Sequence, residues 1–307
     1  MPLDLEKALA DAAPGALVNV PAGAYAANLV IDKPLSLVAM GTVVLDGTKQ
    51  GPVLRVRTDG AVKVAGLTVV GGRTGLAGGG LALDAGELEL LRCTFRFNQA
   101  PGFGGGALAV RGSAVARVSQ CRFEGNTGRQ GAGVLVDEGG KLVMRDSLLA
   151  QNAAFEGGAL CVKEGAEAEL LGCTLADNRV LGDAPRGGAV ALGGTMTRAP
   201  KVTLSHCVVG ERTRGASTFS NFEAHPGVLT LVNNLLPEWC AAFGGDNRYA
   251  EAGFVGQGTE PYFLTKESLA VGAAQGDAYG PSARDLLGRP RSLGTRPADL
   301  GCFALAG

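Results

Sequence analysis

Apolar residues along this chain recur in short alternating runs. Leu17-Val18-Asn19-Val20, Leu29-Val30-Ile31, Leu35-Ser36-Leu37-Val38, Val43-Val44-Leu45, Val53-Leu54-Arg55-Val56, Val62-Lys63-Val64 and Leu67-Thr68-Val69-Val70 follow one another with little between them. The separators, Pro21-Ala22-Gly23, Asp32-Lys33-Pro34, Asp46-Gly47 and Gly71-Gly72, are corner residues. This pattern predicts short β-strands joined at tight corners, with three strands to a turn as the simplest arrangement. One stretch departs from it. Asp4 to Ala13 places Leu5, Ala8, Leu9 and Ala12 at helical spacing and stops at Pro14-Gly15, which predicts a helix over about residues 3–13 lying across an open first coil.

The runs then become a repeat. Gly105-Gly106-Ala107-Leu108-Ala109-Val110, Gly131-Ala132-Gly133-Val134-Leu135-Val136, Gly157-Gly158-Ala159-Leu160-Cys161-Val162 and Gly187-Gly188-Ala189-Val190-Ala191-Leu192 start 26, 26 and 30 residues apart. A unit of that size cannot bury its own apolar face, so copies must stack into a solenoid. Alignment produces columns: Cys93, Cys121, Ser147 and Cys173 in one, and Asn98, Asn126, Asn152 and Asn178 in another. Strands in a stack lie about 4.8 Å apart. The sulfur column is therefore expected inside, with a Cys93–Cys121 disulfide as a minor alternative to free thiols. The Asn column is expected at corners, in left-handed backbone, with each amide bonding the next rung. Phe95 and Phe123, replaced by Leu149 and Leu175, should point inward. Asp84, Arg111, Asp137 and Lys163 alternate in sign and predict an ion ladder on a solvent face.

Composition narrows the function classes. Glycine is 49 of 307 residues with no three-residue period, which excludes collagen and leaves corners. With 28 basic and 29 acidic residues there is no whole-molecule field to attract nucleic acid. No apolar run is long enough for a membrane span, and the first residues lack the basic head and apolar stretch of a leader. A cytoplasmic location is expected for the chain as given, or an exported one if a leader has been removed. Seven cysteines without CxxC or Cys/His spacing predict free buried thiols and no metal site. Gly102-Phe103-Gly104-Gly105-Gly106 is not a nucleotide loop, because no helix follows it.

Gly-Gly-Ala-(Leu/Val) followed by Phe95-Arg96-Phe97-Asn98 or Phe123-Glu124-Gly125-Asn126 resembles the coil motif of right-handed parallel β-helix proteins of the pectate-lyase-like superfamily. The opening Leu5-Glu6-Lys7-Ala8-Leu9 through Leu29-Val30-Ile31-Asp32-Lys33-Pro34 is similar to the start of such helices. Asp285-Leu286-Leu287-Gly288-Arg289-Pro290-Arg291 with Asp299-Leu300-Gly301-Cys302-Phe303 is similar to the close of many bacterial members. The resemblance covers most of the chain and implies an all-β, single-stranded right-handed parallel β-helix of about nine coils. Residues 1–236 would form the helix with its N-terminal cap, and 237–307 an irregular C-terminal segment packed on it. The resemblance does not imply one activity, since the superfamily holds lyases, hydrolases, epimerases, adhesins and scaffolds.

Family lyases combine a calcium-binding carboxylate cluster with an Arg or Lys base, and no such cluster is legible here. His206 and Cys207, as strand neighbours, point to opposite faces, so they are not a nucleophile pair; His206 is expected outside and His225 at a corner. The residues that follow the Asn column, Arg129, Glu156, Arg179, Asp183 and Arg186, are expected to form a charged binding rim. Glu156, Asp177 and Arg186 are the weak catalytic candidates. Exposed aromatics are expected to be scarce on the central coils, with Trp239, Tyr249, Tyr262 and Phe263 covering the open C-terminal coil. The preferred reading is a non-catalytic structural or interaction module for a protein or glycan partner, without a cofactor. The alternative is a polysaccharide lyase on acidic glycans, for which alone calcium is called. Function is expected where the repeat breaks: 178–187, 210–226 and the C-terminal segment.

Overall fold

The structure, a computed structural model, describes residues 3–75, 78–182, 187–195, 197–210, 222–225, 227–275, 279–280, 283–291 and 297–305; the side chains of 222–225 and 243 are outside that description. The helix Leu5–Asp11 caps the first coil, as its spacing predicts. Asp4 Oδ1 accepts the Lys7 N–H at 3.0 Å, Leu5 and Leu9 face the core, and Lys33 Nζ donates to the Ala10 and Ala12 carbonyls at 2.9 and 3.1 Å. Both helix ends thus have partners for groups that the helix itself leaves open.

Behind it the chain winds as an all-β parallel solenoid with three main faces. On the first face Leu108, Val134, Leu160 and Val190 stand in register. On the second, the strands Val115–Ser119, Lys141–Arg145, Glu167–Leu171, Lys201–Ser205 and Val228–Val232 pair in sequence. On the third, Thr94–Arg96, Arg122–Glu124, Leu148–Ala150, Thr174–Ala176 and Val208–Gly210 do the same. In the first coils one long strand, such as Leu54–Val70, bends through the corners. The solenoid has about seven turns rather than nine. Later coils are longer than the repeat that set the expectation: register partners Glu167 and Lys201 are 34 residues apart, whereas Asn126 and Asn152 are 26 apart.

The interior columns stack. Phe95 and Phe123 lie parallel with centroids 5.1 Å apart. All the cysteines are free and buried, so no Cys93–Cys121 disulfide forms; instead Cys121 Sγ receives the Cys93 N–H at 3.4 Å. The asparagines form a continuous ladder, Nδ2 to Oδ1 of the next rung at 3.1, 3.0 and 3.0 Å from Asn98 to Asn178. Their backbone is not left-handed. That conformation falls on the residue before each one: Phe97 (φ 55°), Gly125 (φ 63°), Gln151 (φ 57°) and Asp177 (φ 52°). The bend ahead of it aims each Asn side chain along the stack, where buried amides need partners.

Only the first part of the C-terminal segment lies over the open last coil. The 3₁₀ helix Glu238–Phe243 closes part of that end with Cys240 in the core, and Trp239 is half exposed. From there the chain turns back along the outside of the third face. Tyr262, Leu286, Cys302 and Phe303 pack on Leu148, Ala150 and Ala176, while Ala252, Leu264, Ala270 and Leu300 pack on Val208 and Leu235. Arg291 fixes this flank. Its Nε donates to Asp146 Oδ1 at 2.7 Å and its Nη2 to the Gly301 and Gly172 carbonyls at 2.7 and 3.2 Å, with the Tyr279 ring 4.2 Å away. Outward positions of the third face are apolar here because they are a second, covered core.

Candidate functional site

After each ladder Asn the chain leaves the corner and forms one more short strand. Gln99–Ala100, Thr127–Gln130, Ala153–Glu156 and Arg179–Val180 make a small parallel sheet. The chain then reverses at Gly131 (φ 57°) or Gly157 (φ 62°) and passes across the outside of the first face. A Cβ on Gly131 would sit 2.2 Å from the Val134 carbonyl oxygen, so only glycine allows this approach. The overlap buries the outward column Ala109, Leu135, Cys161 and Ala191. A ledge therefore overhangs the first face, held from below by the Asn ladder.

Three of the rim residues lie on this ledge. Arg129 shares a row with Phe155, between the Gly128–Ala154 and Gln130–Glu156 pairs, and its guanidinium lies 4.8 Å from the Phe103 ring centroid. Arg179 is exposed in the row of Thr127 and Ala153. Glu156 accepts from Gln130 Nε2 at 2.9 Å and stands 3.9 Å from Lys163 Nζ. Asp177 is not part of the ledge, since Tyr262 of the C-terminal flank donates its hydroxyl to it at 2.9 Å. Asp183 and Arg186 lie outside the described residues, as does most of the 210–226 break.

The ion ladder is replaced by something else. Arg55 pairs with Asp84 at 2.6 Å, but Arg111 donates to the Phe103 carbonyl at 2.6 Å and Lys163 turns to Glu156. These side chains tie the first face to the ledge instead of to each other. Beneath them, burial pushes the Cys161 thiol far up; Lys163 opposes this, while Glu156 and Asp137 add to it. The thiol stays protonated and is a poor nucleophile. Lys163 and Glu156, 3.9 Å apart, and Asp137 thus all act on the same buried thiol.

Aromatics are the residues that sequence reasoning missed. Phe97, Phe103 and Phe155 are 67%, 56% and 51% exposed, contrary to the expected scarcity on the central coils. A signal was available: Phe95 already fills the inward position, so Phe97, on the left-handed corner, has no interior left to enter. His206 also departs from expectation. It is buried beneath the flank, with Nδ1 2.7 Å from Ser205 Oγ and its ring edge-on to Tyr279 at 5.6 Å, and burial lowers its pKa. The His225 side chain is outside the description. Calcium takes six to eight oxygens, and among the described residues no group of three or more His, Cys, Asp or Glu stands together, so these side chains do not fit that ion. Among them, too, no helix is long and apolar enough to cross a membrane.

No protein-family profile matches the chain, and no curated protein matches it in sequence. Among solved structures it is similar to pectate lyase Pel9A, with a TM-score of 0.51 and 13% identity over 98% of this chain and 91% of that one. At that identity the likeness establishes one thing, that this chain has the parallel β-helix fold of a pectate lyase.

Proposed function

We propose that the chain is a non-catalytic binding β-helix whose ledge holds an extended acidic glycan. The observation that carries this reading is the exposed group of Arg129 and Phe155, in one row of the small sheet beside the Asn ladder, with Phe103 in the turn after Gln99–Ala100 against the Arg129 guanidinium. Aromatic rings stack on the C–H faces of sugar rings, and a guanidinium takes a carboxylate with two parallel hydrogen bonds. Rungs about 4.8 Å apart put the two phenylalanines roughly 10 Å apart along the stack, which suits a chain of sugars better than a single ring. Arg179 extends the basic edge by one rung. The test is affinity electrophoresis in gels containing polyuronate or neutral glucan. Retardation by the polyuronate, lost in the Phe103→Ala/Arg129→Ala/Phe155→Ala variant with its melting temperature retained, is the expected result. No retardation, or retardation unchanged in the variant, discards the ledge; capture of a protein with no glycan binding turns the reading to a protein partner.

A second reading, a lyase using an Arg or Lys base, has one observation in its favour: Lys163 stands 3.9 Å from Glu156. Growth of ultraviolet absorbance from unsaturated uronate ends on incubation with polyuronate, with and without calcium, would establish it and displace the first. Binding on the ledge as proposed uses no metal, so a chelator should leave retardation unchanged.

A further inference from the structure

The second face ends on the strand Val228–Val232, and its last rung differs from those before it. Outward positions carry Lys141, Val143 and Arg145, then Glu167, Glu169 and Leu171, then Lys201, Thr203 and Ser205, each with at least one charge, but Val228, Thr230 and Val232 with none on the last. The strand pairs with Lys201–Ser205 on one side, and among the described residues no strand pairs with it on the other, where only the turn through Gly245 and Asn247 reaches its Leu231 end. Proteins ordinarily protect such an edge with charge, proline or a bulge. Here Val228 and Val232 are 54% and 42% exposed, and the inward Leu229 and Leu231 are only half-buried.

The sequence of the edge, Val228-Leu229-Thr230-Leu231-Val232, reads the same in both directions. Antiparallel pairing with its own copy, about a two-fold axis at Thr230, would therefore set Val against Val and Leu against Leu. The backbone agrees. The Val228 N–H and the Val232 carbonyl are used by the preceding rung, bonding the Pro200 carbonyl at 2.9 Å and the His206 N–H at 3.1 Å. Leu229 and Leu231 then aim their backbone groups outward, as facing hydrogen-bonded pairs require. Asn247 Nδ2 approaches the Leu231 carbonyl at 3.2 Å, which leaves that oxygen its second lone pair. Head-to-tail stacking is blocked, because the helix Leu5–Asp11 covers the first coil of any incoming copy. Only the isologous, closed arrangement is left.

We propose that two copies of this chain join end to end through the Val228–Val232 edges. The partner is a second copy of the same strand, running antiparallel, and the product is a closed dimer with a capping helix at each far end. This is independent of what the ledge binds.

Sedimentation velocity across a dilution series tests it. The wild type should sediment at twice the 31.0 kDa chain mass and dissociate on dilution. Thr230 points outward and meets its own copy at the axis, so Thr230→Lys and Thr230→Glu should each give monomers with unchanged far-ultraviolet circular dichroism. An equimolar mixture of the two should restore the dimer, because the repulsion becomes an attraction. Val143→Lys, outward but three rungs inside, should remain dimeric. A wild type that is monomeric throughout, dimers that survive Thr230→Lys, or no recovery on mixing would each overturn the proposal.

Discussion

Asn126 offers a direct test of what the ladder contributes. Its Nδ2 donates to the Phe95 carbonyl and to Asn152 Oδ1, both at 3.0 Å, while its Oδ1 accepts the Asn98 N–H at 3.0 Å and Asn98 Nδ2 at 3.1 Å. Asn126→Ala removes all four bonds, but the losses are unequal. Asn98 Nδ2 keeps the Val69 carbonyl and Asn152 Oδ1 keeps the Asn126 N–H, whereas the Phe95 carbonyl loses this amide and the Asn98 N–H loses its acceptor. An unsatisfied buried group costs about 1–3 kcal/mol; the Phe95 carbonyl still has the Glu124 N–H of the strand ladder, so the orphaned Asn98 N–H alone predicts a loss of about 1–3 kcal/mol. Thr127→Ala, next in sequence and exposed, should cost less than about 0.5 kcal/mol. Urea unfolding followed by circular dichroism gives the comparison, with hydrogen exchange on the neighbouring rungs, because a stack of coils need not melt as one unit. Asn126→Asp makes the sign testable. A carboxylate would face two acceptors in a buried site, so the folded state would hold the acid protonated and raise its pKa above the unfolded value of about 3.9. The variant should approach wild-type stability below pH 4 and lose it as pH rises. A loss under 1 kcal/mol for Asn126→Ala, or an Asn126→Asp variant whose deficit shrinks as pH rises, would refute the reasoning.

Other parts of the molecule give further expectations. Arg291→Met leaves Asp146 buried without its cation, which costs about 3–5 kcal/mol; limited proteolysis should then cut the C-terminal flank early while the solenoid's circular dichroism persists. His206 lies beneath the flank, near Arg291, Tyr279 and Ser205, and its pKa is lowered by burial first and by the Arg291 charge. Its unfolded form binds a proton below about pH 6.5 and the folded form resists it, so stability should fall as pH drops through that range. His206→Asn, which tolerates the φ of 56°, should flatten that fall in a melting-temperature profile. Gly131→Ala forces a methyl against the Val134 carbonyl at a left-handed position; we expect a loss of more than about 1 kcal/mol and weaker polyuronate retardation.

The columns were legible because a repeat shows the same physical demand several times. Cys and Phe inside, and Asn along the ladder, could be assigned from spacing alone, and so could the capping helix from Leu5 and Leu9. What was not legible depended on contacts between distant segments. The third face carries Leu148-Leu149-Ala150 with no alternation, a sign of cover on both sides, but nothing in that run names residues 250–305 as the cover. His206 was placed outside by strand alternation, but the strand ends at Ser205 and His206 sits on a left-handed corner with the flank lying over it. The charge column failed for a related reason: Arg111 and Lys163 had closer partners on the ledge than on the next rung. Of the expected rim, Arg129, Glu156 and Arg179 lie on the ledge but in different rows, while the catalytic candidate Asp177 is held by Tyr262.

The flank also sets an order on the birth of the molecule. A solenoid can grow coil by coil as the ribosome releases it, each new rung finding its neighbour already in place. The C-terminal flank cannot, since Arg291 must find Asp146, which is 145 residues earlier in the chain. Until then Leu148, Ala150 and Ala176 face water on a nascent chain whose coils have already formed. Closure over such sequence distance is slow, and sticky surface left open during that wait is where misassembly begins. Truncation before the last twenty residues should therefore yield a chain that forms its coils and then aggregates.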